Sequence, residues 1–243
     1  MIQAFYSAAV GAQQQMERLN AHANNISNVN TTGFRAEQPV FEALMYRMVN
    51  GIDGEQLPKG TGTRIAASTT DFRQSAVEET GRKQDYAISG DGFFALYDPA
   101  LNEVSFTRDG SFTIAEFQEQ DDEGNWQSVW YLSDGDGRQV LNTGGYPIQV
   151  EDAEARQPVG VFEIQYQEGL QHLDGSRFLA PAAAGSVWMG DSPVLQGCLE
   201  SSNADLAHEI GKVIEAQRSY SYALRMVTTA DEVETTVNNL PNG

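Results

Sequence analysis

Cysteine is almost missing from this chain. Cys198 is the only one in 243 residues, which excludes an intramolecular disulfide framework and any zinc site built on several cysteines. Basic side chains are also scarce, 15 Lys and Arg against 34 Asp and Glu, for a net charge of −19. A repulsive field of that sign argues against nucleic acid or an anionic membrane as a partner. Long apolar runs are lacking too. Phe178 to Gly190, the longest uncharged stretch near the C-terminus, is interrupted by Pro181 and Gly185 and is too short to cross a bilayer. No basic residue precedes Arg18, so no cleavable secretory signal is expected.

Chemistry-bearing clusters are equally sparse. His22, His172 and His208 are far apart in sequence, and none has a second histidine or cysteine at ligand spacing, so each is read as a surface or interface residue. Cys198 has no sequence-near base and is read as a small residue at a helix entry. Asp134-Gly135-Asp136-Gly137 lacks the spaced acids and closing glutamate of a calcium loop, and is taken as a solvated turn. Neither Gly60-Thr61-Gly62 nor Gly90-Asp91-Gly92 has the lysine or third glycine of a phosphate loop. No catalytic residue, metal ligand or cofactor is assigned.

What the chain has is periodicity at its two ends. Ile2, Phe5, Ala9, Ala12, Met16, Leu19, Ala23 and Ile26 follow alternating steps of three and four, a heptad seam without proline. The spacing predicts a helix from Ile2 to about Asn28, ending where Asn28, Asn30, Thr31, Thr32 and Gly33 favour a turn. Near the other end, Ser202-Asn203-Ala204-Asp205 has capping-box spacing. Behind it Leu206, Ile210, Val213, Gln217, Tyr220, Leu224 and Val227 repeat at three and four, then Ala230, Val233, Val237 and Leu240. The consecutive three-residue steps at Leu224, Val227 and Ala230 look like a stammer. Each helix presents one apolar stripe and needs partners, so the termini are expected to be marginal alone and ordered by assembly.

Between the ends lie short alternating runs punctuated by glycine, including Ile88, Phe93, Phe94, Leu96, Phe106, Phe112, Ile114, Val140, Ile148, Val150, Val161, Phe162, Ile164 and Tyr166. They predict an antiparallel β domain over about 84–190, with Asp109-Gly110 as a hairpin turn. In residues 35–83, Phe41, Leu44, Met45 and Met48 predict a short helical turn, and an extended linker follows Gly51. The charge is uneven. Glu116 to Asp136 holds seven acids and no Lys or Arg, whereas Met1 to Asn50 holds three of each sign. The acids are placed in a surface hairpin or loop with Gly124, Gly135 and Gly137 at its turns.

Ala23-Asn24-Asn25-Ile26-Ser27-Asn28-Val29-Asn30-Thr31-Thr32-Gly33-Phe34-Arg35 closely resembles the signature of bacterial flagellar rod and hook proteins. Three further blocks resemble the same family. They are Ala87 to Phe94 with Gly90, Gly92 and Phe93, continued by Phe106 to Phe112 with Arg108, Asp109 and Gly110; then Gly169-Leu170, Gly175, Phe178 and Gly185; then Leu199 to Leu206 with Glu200, Ser202 and Asn203, continued by Ala216 to Tyr220. Gly60 to Arg64, leading to Phe72, Thr80 and Ala87, looks most like the proximal or distal rod proteins, with 116–136 as an acidic insertion.

The resemblance implies an α+β chain. Its terminal helical parts, 1–34 and 200–243, pair in a coiled-coil-like seam inside a hollow axial polymer, and a mostly antiparallel β domain over 84–190 faces outward beyond a linker at 35–83. It also implies a structural role in the basal body, partners among copies of itself and other rod and hook proteins, and export by the flagellar type III apparatus without a cleaved signal. Asn24, Asn25, Asn28 and Asn30 would cap helix ends and bond backbone in neighbouring subunits. The competing readings are a hook or other axial subunit and a wall-cutting hydrolase, which would need acids converging in a cleft.

Overall fold

The computed structural model describes residues 2–43, 47–50, 56–59, 63–120, 126–173 and 176–239. These divide into two compact units, each discontinuous in sequence: 1–27, 37–70 and 205–243 in the first, 28–36 and 71–204 in the second. Leu44, Met45, Gly60 to Gly62, Gly124, Gly175 and Leu240 lie outside the described residues.

The first unit holds the two long helices, α1 (Ile2–Ser27) and α2 (Leu206–Asn238). They pack against each other antiparallel, with Arg18 beside Glu215 and His22 beside Glu209. α2 begins differently from the expected capping box. Asp205 is its cap, and one carboxylate oxygen accepts from the backbone N–H of Ala207 at 2.9 Å and of His208 at 3.2 Å. A carboxylate there satisfies orphan donors and suits the positive end of the helix dipole. Ser202 Oγ instead accepts from the Ala204 N–H at 3.2 Å.

The described residues of this unit between 37 and 70 are β strands where the sequence predicts a helical turn and a linker. β1 (Glu37–Ala43) pairs antiparallel with β4 (Thr63–Thr70), with a bulge between Val40 and Phe41, and β2 (Arg47–Asn50) pairs with β3 (Gln56–Lys59). Phe41 therefore lies opposite Ile65, and Met48 opposite Pro58. α1 packs on β1 and β4. Asn25 fixes that contact from a fully buried site, its side chain accepting from the Glu37 N–H at 2.9 Å and donating to the Glu37 carbonyl at 2.8 Å.

In chain order the strands of the second unit are β5 (Val77–Glu79), β6 (Tyr86–Ile88), β7 (Phe94–Asp98), β8 (Glu103–Thr107), β9 (Thr113–Gln120), β10 (Trp126–Ser133), β11 (Gln139–Val140), β12 (Phe162–Ile164), β13 (Gln171–His172), β14 (Arg177–Leu179), β15 (Val187–Met189), β16 (Val194–Gln196) and β17 (Cys198–Glu200). Seven form one antiparallel sheet in the order β13-β14-β8-β7-β11-β10-β9; the others pair as β12 with β15, β16 with β6, and β17 with β5. Cys198 thus sits in a strand rather than at a helix entry.

β7 shows why this unit has two cores. Alternate side chains of a strand point to opposite faces. Phe94 and Leu96 join Phe112, Leu132 and Val140 in one cluster, while Phe93 and Ala95 join Phe106 and Phe178 in the other. Asp109-Gly110 is not a hairpin turn, because β8 pairs with β7 through the turn at Asp98 to Asn102 and never with β9. β9 and β10 form the hairpin of the acidic region, with Glu116 opposite Trp130.

Candidate assembly site

The signature residues of three distant blocks meet inside the second unit. The chain passes between the units at 27/28, 36/37, 70/71 and 204/205, and the second unit's ends of these passages are tied to one another. At the centre, Arg35 Nη2 lies 2.6 Å from Glu200 Oε1, and Arg108 Nη1 lies 3.2 Å from Glu200 Oε2. All three side chains are at most 3% exposed, so two guanidinium groups share one carboxylate out of reach of water. The Ser75 N–H donates to Glu200 Oε1 at 2.8 Å, Arg108 Nη2 donates to the Gly90 carbonyl at 2.8 Å, and the Arg108 guanidinium lies 5.5 Å from the Phe93 ring centroid. Burial pulls the Arg108 pKa below its ordinary value; Glu200 opposes this and Arg35 adds to it. An arginine nevertheless stays charged at physiological pH, so the carboxylate is what holds the charge balance.

The backbone closes around this triad. The Gly33 N–H donates to the Glu200 carbonyl at 2.8 Å, and the Asn203 N–H to the Phe34 carbonyl at 3.3 Å. Asn203 Oδ1 accepts from the Ala36 N–H at 2.7 Å while its Nδ2 donates to the Asp71 carbonyl at 2.6 Å, joining three segments through one amide. Phe34, Ala36 and Ala204 form a small buried cluster beside it. Thr32 Oγ1 donates to Asp109 Oδ1 at 2.8 Å. The side-chain hydrogen bond from Arg73 is the main reason the Asp71 carboxyl is held below its ordinary range. Two glycines are dictated by approach: a Cβ on Gly33, whose φ is 64°, would lie 2.3 Å from the Asp109 nitrogen, and one on Gly110 would lie 1.7 Å from the Tyr86 carbonyl oxygen.

The seam residues of the first unit are placed less simply. Ala12 is buried and Leu19, Ile26, Val213, Tyr220 and Val227 are half-buried, but Phe5, Met16, Ala23, Leu206, Ile210, Gln217 and Leu224 are exposed. A row that overlaps the seam is covered throughout: Ala8, Ala12, Gln15, Leu19, His22 and Ile26 on α1, with Glu209, Val213, Ala216, Tyr220, Ala223 and Val227 on α2. Each set lies three residues along from the heptad seam, which at 100° per residue is a turn of about 60°. Phe5 and Met16 of one seam and Leu206, Ile210 and Leu224 of the other therefore remain outside. Ile214, Tyr222 and Met226 extend the exposed surface of α2. Ala9 is half-buried.

The asparagines divide their roles. Asn25 bonds the Glu37 backbone within the chain, and Asn28 Oδ1 accepts from Thr31 Oγ1 at 3.2 Å; Asn24 and Asn30 are exposed. Sequence reasoning singled out Arg108 and Glu200 separately but not their union with Arg35, nor the buried His22–Glu209 contact. The available signal was a charged residue embedded in a block of small and apolar ones. In the acidic loop, Arg138 Nη1 lies 2.7 Å from both Asp134 Oδ2 and Asp136 Oδ2, so the chain's own cation occupies those carboxylates. No group of three or more His, Cys, Asp or Glu among the described residues is placed to hold a metal ion, and no helix among them is long and apolar enough to cross a membrane.

Two paired terminal helices and a mostly antiparallel β unit pinned by a buried triad define an α+β class of protein. Comparison with known proteins makes the class specific. Residues 5–35 match the family model described as flagella basal body rod protein, and residues 195–240 match the flagellar basal body rod FlgEFG protein C-terminal model. The flagellar basal-body rod protein FlgG of Borreliella burgdorferi is 31% identical, with 99% of each chain covered, and that of Bacillus subtilis is 26% identical with the same coverage. The flagellar basal-body rod protein FlgF of Rhizobium meliloti is 30% identical over 87% of each chain. The chain belongs to the flagellar basal-body rod protein family. It is a structural subunit of the rod, located in the basal body of the flagellum.

Proposed function

We propose that this rod subunit polymerises through the exposed stripes of α1 and α2, which meet the stripes of neighbouring copies in a coiled-coil-like inner tube, and that the resulting hollow shaft carries torque for motility. The observation that supports this reading most is the outward stripe of Phe5, Met16, Leu206, Ile210 and Leu224, large apolar side chains 37–45% exposed on helices that have already paired. Contiguous exposed apolar surface of this kind marks an interaction site. The β unit lies toward the outside of the shaft, and the Arg35–Glu200–Arg108 junction stiffens the chain where load passes. Other rod and hook proteins are its partners, and the flagellar type III apparatus exports it without a cleaved signal.

A structural rather than enzymatic role is supported by the fate of the described acids of this region: Glu116 and Glu119 lie on β9, and Asp134 and Asp136 both pair with Arg138. The relatives named above are rod proteins, which favours rod over hook. The test is the full chain carrying Ile210→Glu and Leu224→Glu as the only copy in the cell. Both sites are exposed, so the purified variant should melt within about 0.5 kcal/mol of the native chain. Cells should nevertheless lose swimming, and their rods should end short. Complete rods in such cells would refute the role of the stripe.

A further inference from the structure

His22 and Glu209 form a contact of 2.6 Å between Nδ1 and Oε2, 187 residues apart in sequence, where the C-terminal part of α1 meets the first turn of α2 on the face that the two helices cover in each other. Both residues are buried, 6% and 5% exposed. Along that face Leu19 and Ile26 flank His22 and Val213 follows Glu209, with Gln15 and Ala216 one turn further on. The outer stripes about 60° away carry no charged member among Phe5, Met16, Leu206, Ile210 and Leu224. Each helix therefore has two faces of like spacing that could pack against a neighbour: the inner face carries one half of the buried His22–Glu209 contact, whereas the polar member of the outer seam, Gln217, is exposed.

We propose that the His22–Glu209 pair is a specificity-determining contact that reserves the inner faces of α1 and α2 for each other and denies them to the apolar stripes of neighbouring copies. The physical basis is the cost of burying a polar or charged group without its partner. A paired buried ion adds little to stability compared with apolar residues of similar volume, but one buried without its partner is strongly unfavourable. If an inner face docks on the outer stripe of another copy, His22 or Glu209 is covered by leucine, isoleucine or methionine and has nothing to pair with. That disfavours the wrong pairing by more than about 100-fold. A single polar position in an otherwise apolar seam selects register and partner in the same way. The outer stripes lack such a marker and pair by shape and apolar area. This inference rests on the reading that the outer stripes meet neighbouring copies.

The test is the full chain carrying His22→Leu and Glu209→Leu together. Because apolar replacement of a buried pair is tolerated, its melting temperature should equal or exceed that of the native chain. Its self-association, followed by sedimentation velocity, should begin at a concentration at least about tenfold lower and give heterogeneous oligomers, since either face can now pair with either. Rods per cell should fall by a similar factor. The exchanged pair, His22→Glu with Glu209→His, should restore native sedimentation and rod number. A lower melting temperature in the leucine variant, or native sedimentation together with normal rods, would overturn the proposal. The Ile210→Glu and Leu224→Glu chain separates the two claims. If that chain fails to build rods while the leucine pair builds them normally, the stripe stands and the sorting role falls. If the charged stripe builds complete rods, the stripe's role falls and the sorting role that rests on it falls with it.

Discussion

Replacing Glu200 with alanine should destabilise the β unit by about 3–5 kcal/mol, a large part of the 5–15 kcal/mol that holds a typical domain folded. The substitution leaves Arg35 and Arg108 facing each other in a site where neither exceeds 3% exposure, with no carboxylate between them. It also removes the acceptor for the Ser75 N–H. Neither guanidinium escapes by losing its proton, so the repulsion is relieved only by unfolding or by admitting water. The sign of the effect depends on leaving the arginines in place. Exchanging all three residues for methionine should cost far less than Glu200→Ala alone, because a buried ionic cluster replaced as a whole by packed apolar groups is often neutral. Trp126, Trp130 and Trp188 all lie in this unit, so urea unfolding followed by tryptophan fluorescence reads it directly. A loss below about 1 kcal/mol for Glu200→Ala would mean that the triad is not what holds these segments of the β unit together.

Gly33→Ala should be nearly as severe, at about 3–5 kcal/mol, through the backbone rather than through charge. Gly33 has a φ of 64°, where a side chain is strained, and the added Cβ would meet the Asp109 nitrogen at 2.3 Å and the Arg108 carbonyl carbon at 2.4 Å. These atoms are main chain and cannot swing aside. The strand end carrying Arg108 would have to move, taking the guanidinium away from Glu200. Gly11→Ala is the matched control. Nothing lies within 4 Å of its Cβ and it sits inside α1, so alanine should be tolerated and should favour the helix by up to about 1 kcal/mol. Thermal melts of the two variants side by side check the pair, and equal effects would contradict the close approach at Gly33.

The parts of this fold that were legible in the sequence are those set by local periodicity. The helices came from steps of three and four, and the strands of the β unit from alternating runs. The misread parts all depend on partners distant in sequence. Phe41, Leu44, Met45 and Met48 fit helical spacing locally, but Phe41 lies opposite Ile65 in a ladder. Asp109-Gly110 carries a hairpin signal because such dipeptides tolerate tight turns, yet β8 finds its partner in β7 on its other side. Its glycine serves a close approach to the Tyr86 carbonyl instead. The heptad seams show the same limit. Periodicity identifies an apolar stripe without identifying what covers it, and here each helix turns a neighbouring face, carrying His22 or Glu209, toward its partner. A histidine and a glutamate in a helix read as surface residues until the second helix is seen opposite. The signature blocks were recognised one by one, but the carboxylate joining Arg35 to Arg108 emerges only when 33–36, 108–110 and 200–203 meet.

The structural role of this chain in the rod is open to electron microscopy of basal bodies from a strain lacking only this gene. The rod should stop short at a fixed point, with no hook beyond it, and should regain full length when the native chain is supplied. A complete rod bearing a hook in the absence of this chain would contradict the account.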